Sequence, residues 1–226
     1  MSTHHPDDMT LMNHTAGSLS LPQALAVSVH LSFCHECREL VKNFNHLGGA
    51  LLETIKPAST NDDAFDALMA TLEPHHHTDA SKSDKHNSHS QNNERITQHY
   101  TNPLLRYLPG PLSELTWQRQ TKDISKFDLT SLINVKGFRV ALQKISAGAK
   151  VPTHTHKGFE YTVILAGGFS DELGVYSQGD FIARDTTHKH SPTAMQNEDC
   201  ICLTVLSAPL TFTGWHRVFN PFMAWN

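Results

Sequence analysis

Apolar positions change their period once along this chain, from three to four residues before about Glu73 to two residues after about Leu104. The first regime predicts helices. Ser20 is placed to cap a helix whose apolar residues Leu21, Leu25 and Val29 recur every fourth position, with Pro22 tolerated in its first turn. A second run, from about His35 through Ile55, carries Leu40, Val41, Phe44, Leu47, Leu51 and Leu52 at helical spacing, although Gly48 and Gly49 weaken its middle. A third begins near Asn61, a candidate cap. Asp62 and Asp63 there suit the positive end of a helix dipole, and Phe65, Leu68, Met69 and Leu72 form an apolar stripe. In the second regime, GFRVALQKI, FEYTVILAG, GDFIAR and CICLTVLSAPLTFT are short, rich in β-branched and aromatic residues and separated by turn residues, which predicts an antiparallel sandwich or barrel. Trp117, Phe212, Trp215, Phe222 and Trp225 read as packing residues of that β part. Between the two lies PHHHTDASKSDKHNSHSQNNERITQHYTN, too polar to bury a core of its own. The expected organisation is therefore a helical domain over 1–73, a linker over 74–102 and a β domain over 103–226. The linker histidines His75, His76, His77, His86, His89 and His99 are read as a solvated tract rather than a site.

Composition narrows the classes. The net charge of -4 over 226 residues gives no electrostatic footprint for phosphate backbones, so direct nucleic-acid binding is not expected. The start, MSTHHPDDMT, has neither a basic segment nor an apolar core of a targeting signal, and no stretch approaches a membrane span. Four Cys in a chain of this length suit a reducing cytoplasm rather than a secreted disulfide framework.

Two of those cysteines belong to HLSFCHEC, in which His30, Cys34 and Cys37 have the spacing H-x3-C-x2-C. Across a helix junction the three converge, and thiolate with imidazole suits a closed tetrahedral zinc site able to brace a small helical domain. A fourth ligand has candidates in His4, His5, His14 and His35. His35 would project outward from the loop and His14 falls within a helix, whereas His4 and His5 sit on an arm able to fold back.

The stretch HLSFCHECREL on a helical hairpin resembles the zinc-binding anti-sigma domain, and the chain as a whole is similar to the ChrR-like anti-sigma factors, which join that domain to a C-terminal cupin. The resemblance implies an α+β multidomain protein, a small N-terminal helical zinc domain followed by an all-β cupin barrel. It places the fourth ligand at His5, with His4 as the fallback. It also implies a partner, an extracytoplasmic-function-type sigma factor of RNA polymerase that the helical domain sequesters in the cytoplasm.

The β part carries the other set. GAKVPTHTHKGFEYTVILAG matches the first cupin motif, G-x5-H-x-H-x3-E-x6-G, through Gly148, His154, His156, Glu160 and Gly167. Residues two apart on a strand share a face, so both imidazoles point inward and Glu160 on the next strand reaches the same ion. A second motif starting at Gly179 expects its His at His190, but Asp185, Thr187 and Ala194 replace the usual Pro, Gly and Asn, which leaves His188 as an alternative. Three His and a carboxylate accept Zn, Fe, Mn or Ni. The resemblance implies zinc at both sites and a response to singlet oxygen or organic hydroperoxides through the cupin. A rival reading is a cupin metalloenzyme such as an iron dioxygenase, although no further acid, base or nucleophile stands out near the motif. Cys200 and Cys202, two apart on one strand, are read as core packing rather than a redox pair. The apolar stripe of the third helix is the expected sigma contact.

Overall fold

The structure, a computed structural model, describes residues 2–58, 62–71 and 102–213. Asn61, Leu72, the linker histidines, Trp215, Phe222 and Trp225 lie outside these residues. Residues 1–48 and 100–226 make one compact unit, and residues 49–99 a second.

Among the described residues four α-helices precede the β part: α1 (Asp8–Thr15), α2 (Leu21–Phe33), α3 (His35–Thr54) and α4 (Asp62–Thr71). The α1 start is fixed by the Asp7 side chain, which accepts from the Thr10 N–H at 2.6 Å. At α2 the Gln23 side chain reaches back to the Ser20 N–H at 3.2 Å, half of a capping box. Leu21, in the first turn, is 51% exposed, so the expected stripe begins in practice at Leu25. Beyond it Leu25, Ala26, Val27, Val29, His30 and Leu31 are all buried, more than one helix face can account for. Only Cys34 separates α2 from α3, with an extended backbone (φ -98, ψ 110). α3 runs through Gly48 and Gly49 unbroken, but it buries only Cys37 and Val41 and exposes Leu47, Leu51 and Leu52. α4 exposes Phe65, Leu68 and Met69.

The β part is antiparallel throughout. Its largest sheet has six strands in the order β1 (Gln118–Arg119), β2 (Ile124–Asp128), β3 (Arg139–Ile145), β11 (Cys200–Leu206), β5 (Glu160–Ala166), β8 (Phe181–Arg184). Two smaller sheets order β10 (Thr193–Ala194), β6 (Gly168–Asp171) and β7 (Gly174–Ser177), and β12 (Leu210–Phe212), β4 (His154–His156) and β9 (Lys189–His190). A one-turn helix α5 (Thr130–Ile133) links β2 to β3. Strands β5 and β11 are buried on both faces. Alternation explains why. On one face Val140, Leu142, Val163, Leu165, Leu203 and Val205 join the α2 side chains in a single core, and on the other Ile145, Ile164, Ile182 and Cys200 pack with Phe169, Tyr176 and Ala194 of the small sheet. α2 lies directly on β5 and β11.

Gly179, in the turn before β8, allows this docking. Its φ of +90 lies in a region that L side chains avoid, and an added Cβ would sit 2.8 Å from the Phe33 Cβ at the end of α2.

Candidate metal centres

The α2–α3 junction gathers the first set. His30 is in the last turn of α2, Cys34 is the single connecting residue and Cys37 is in the first turn of α3, so the chain reversal itself brings three donors together. The N-terminal arm supplies a fourth: His5 Nδ1 lies 3.4 Å from the Sγ atoms of both Cys34 and Cys37. His30 Nε2 is 3.3 Å from Cys37 Sγ. Tetrahedral coordination with bonds of roughly 2.0–2.3 Å has ligand-to-ligand edges of about 3.3–3.8 Å, so this spacing fits zinc. All four donor atoms fall within 4.8 Å of one another. Cys34 sits at the N-terminus of α3 and its Sγ accepts the Cys37 N–H at 3.4 Å, which fixes the sulfur's position. Burial, reinforced by the neighbouring Cys34, pushes the Cys37 thiol up to about 12, so without a cation it stays protonated. Burial also pulls His30 down to about 4, leaving a neutral imidazole whose Nδ1 donates to the Gly179 carbonyl at 2.7 Å. That bond leaves Nε2 as the lone-pair donor facing the cysteines. His4 faces Asp180 instead, His14 is in α1, and His35 is exposed beside Glu39.

The second set is assembled across strands. His154 and His190 are register partners on β4 and β9, His156 lies two residues along β4, and Glu160 opens β5 on the inner face of the large sheet. His156 Nε2 is 3.3 Å from both His190 Nε2 and Glu160 Oε2. These donors and His154 again lie within 4.8 Å of one another, and all four residues are buried. Orienting contacts come from behind: His154 Nδ1 meets the Pro152 carbonyl at 2.8 Å, and His190 Nδ1 meets Asp171 Oδ2 at 2.9 Å. His188 does not join; it pairs with Asp185 at 2.7 Å on the surface. Beside the set is a cavity of about 40 Å³ lined in part by Gln143, Thr162, Cys202, Thr204 and Phe169. Cys200 and Cys202 are both free and buried.

Asp171 and Asp180 escaped the sequence reading. Each sits in a hairpin turn and accepts local N–H groups, Leu173 and Gly174 for Asp171 and Ser177 for Asp180, so the sequence shows only turn residues.

A helical hairpin carrying a His2Cys2 set, built on one face of a β-sheet that carries a His3Glu set on its other, defines a helical-plus-cupin protein with two candidate metal centres. Residues 110–209 match the ChrR cupin-like domain family. The chain is 30% identical over 221 residues to the anti-sigma-E factor ChrR of Cereibacter sphaeroides, covering 97% of each protein. It is also similar, at 28% identity and a TM-score of 0.72, to a chain in the crystal structure of Rhodobacter sphaeroides SigE in complex with the anti-sigma factor ChrR, covering 91% of this chain and 100% of that one. The chain belongs to the ChrR-like anti-sigma factors.

Proposed function

We propose that this chain is a cytoplasmic anti-sigma factor: it sequesters an extracytoplasmic-function-type sigma factor and releases it under oxidative stress registered at the cupin. The observation that carries the reading is the similarity to ChrR along 97% of both chains, which spans helices, cupin and both donor sets rather than one module. The family makes the chain a regulatory binding protein rather than an enzyme. The size of the cavity at the His/Glu set agrees, since about 40 Å³ admits water or a molecule of peroxide size, whereas organic ligands occupy pockets of roughly 300–1,000 Å³. Among the described residues no helix is long and apolar enough to cross a membrane.

His5, His30, Cys34 and Cys37 would hold zinc, which supplies a crosslink between the arm, α2 and α3. His154, His156, Glu160 and His190 would hold the second ion, also zinc. Sigma is gripped by the apolar residues that α3 and α4 leave exposed. The proposed organisation is a helical zinc-binding domain over 1–73, a linker over 74–102 and a cupin over 103–226.

Affinity purification of the full chain from its host, with mass spectrometry and elemental analysis of one sample, tests the whole reading. A stoichiometric sigma factor with zinc filling both sets is expected. A single redox-active metal and no sigma factor would overturn it in favour of a cupin oxygenase.

A further inference from the structure

The two donor sets are joined by a continuous run of contacts within one compact unit. It starts at His190, whose Nδ1 is 2.9 Å from Asp171 Oδ2. The same carboxylate oxygen is 3.4 Å from Arg184 Nη2, which also donates to the Tyr176 hydroxyl at 2.5 Å. The Tyr176 ring lies against the His4 ring, with centroids 4.6 Å apart. Asp180 then fixes the arm: its Oδ1 accepts the N–H groups of Thr3 at 2.6 Å and His4 at 3.1 Å, and its Oδ2 lies 3.3 Å from His4 Nδ1. The Phe181 N–H closes the arrangement on the His4 carbonyl at 2.9 Å. His4 precedes His5 in sequence, and the Gly179 carbonyl that receives the His30 Nδ1 proton immediately precedes Asp180. One end of the run is therefore a donor of the second set, and the other end holds two donors of the first.

Burial makes this run more than a chain of surface contacts. The side chains of Asp171 and Asp180 are fully buried, Tyr176 is buried and Arg184 is 11% exposed. The two carboxylates so placed cannot exchange a lost partner for water, so a change at one member of the run shifts the next. Arg184 is the branch point, because one nitrogen serves both the Asp171 carboxylate and the Tyr176 hydroxyl.

We propose that Asp171, Arg184, Tyr176 and Asp180 are positioning residues that couple the two centres, so that filling the His154–His156–Glu160–His190 set tightens metal binding at the His5–His30–Cys34–Cys37 set. The inference rests on the reading that both sets bind metal. With His190 Nε2 engaged, its Nδ1 is held as donor to Asp171, which leaves the Arg184 fork directed at Tyr176 and keeps the Tyr176 ring as a fixed wall for His4 and the arm. With Nε2 unengaged, the proton of the buried His190 ring is no longer committed to Nδ1, Asp171 loses a fixed donor and draws the guanidinium toward itself, and the wall behind His4 loosens. His5 then has more conformational freedom to lose on binding. By linkage the effect is reciprocal, and filling the first set tightens the second.

Cobalt(II) separates the sets, because thiolate-to-cobalt absorption arises only where Cys34 and Cys37 are ligands. The metal-free full chain is titrated with cobalt while that band is followed, with the second set intact or disabled by His154→Ala plus Glu160→Gln, neither residue belonging to the run. The apparent affinity at the first set is expected to fall about fivefold or more when the second is disabled. In a Tyr176→Phe background, which retains the ring and removes the hydroxyl, the intact and disabled chains are expected to agree within about twofold. Arg184→Lys, which keeps the charge but not the reach of Nη2 to both Asp171 and the Tyr176 hydroxyl, should behave in the same way. A fall as large in Tyr176→Phe and Arg184→Lys as in the parent chain overturns the relay, as does no fall in the parent. A parent chain without a thiolate band overturns the metal reading itself, and the relay with it.

Discussion

Glu160 is buried among three imidazoles, and burial pushes its carboxyl up to about 7 against the opposing pull of Arg184 and the Thr162 hydroxyl. Burial also pulls His154 to about 4 and His156 to about 3, and lowers His190. From about pH 6 to pH 8 His154 and His156 are therefore neutral, and Glu160 changes charge within that window. A cation needs the carboxylate, so affinity at this set should rise with pH, approaching tenfold per unit below about pH 7 and flattening by about pH 8. Calorimetry in buffers of different ionisation enthalpy should show proton release on loading near pH 6 that fades by about pH 8. The metal-free fold has its own dependence. Because the folded value lies above the ordinary carboxylate value of 4.5, this carboxyl contributes stability below about 4.5 that is lost as pH rises through about 7. A second expectation separates His190 from its neighbour. His188→Ala, which removes a surface partner of Asp185, should leave the metal content of the purified chain unchanged, whereas His190→Ala should lower it.

At the level of elements, the joint between α2 and the β-sheet is governed by one turn. Gly179→Ala forces a φ of +90 on an L residue and drives its Cβ toward Phe33, so thermal denaturation should show a loss of about 2 kcal/mol or more. Cobalt binding at the His2Cys2 set should weaken with it, since the displaced carbonyl is the one that orients His30. The exposed face of α4 makes a different prediction. Phe65→Asp with Leu68→Asp should cost at least about 2 kcal/mol of sigma capture in a pull-down, without changing zinc content, because these residues are exposed and remote in sequence from both donor sets. Elements of this kind were readable from sequence because they announce themselves locally: the Ser20 cap, the fourfold stripe from Leu25, the period of two in β3, β5 and β11. His5 was implied only by the family resemblance, and the second motif left His188 beside His190, but three donors of each set were readable for the same reason, His30, Cys34 and Cys37 as a spacing within one hairpin and His154, His156 and Glu160 as a spacing along one stretch. The shared core of α2 and the large sheet was not, because a strand apolar on both faces does not say what covers it, and an all-round apolar helix does not say where it lies. The roles of Asp171 and Asp180 were hidden more completely, since a carboxylate that caps its own turn gives no sign of the histidine it meets from a distant segment.

On the scale of the whole molecule, the proposed function would give two routes from an oxidant to release of sigma. One begins at the His3Glu set; the other is direct attack on Cys34 and Cys37, whose oxidation would remove two ligands and loosen the helical hairpin. Access separates them. Both cysteines are 4% exposed, with His5 of the arm against their sulfurs, whereas the His3Glu set borders a cavity of about 40 Å³ with Thr162, Cys202 and Thr204 in its wall. A small oxidant therefore has room against the metal-binding face of the second set, whereas the larger cavity of about 530 Å³ beside the first set is lined by His5 but by neither cysteine, and α2, with its terminal His30, shares a core with the sheet that carries this second set. With zinc in excess over the weakened first set, His154→Ala should accordingly retain sigma capture but should fail to release sigma on exposure to singlet oxygen, which is small enough for the cavity. Anisotropy of a labelled sigma factor bound to the full chain reads both properties in one titration. Release that persists in His154→Ala and is abolished only when Cys34 and Cys37 are protected would assign the sensing step to the thiolates and leave the cupin as a structural support for α2.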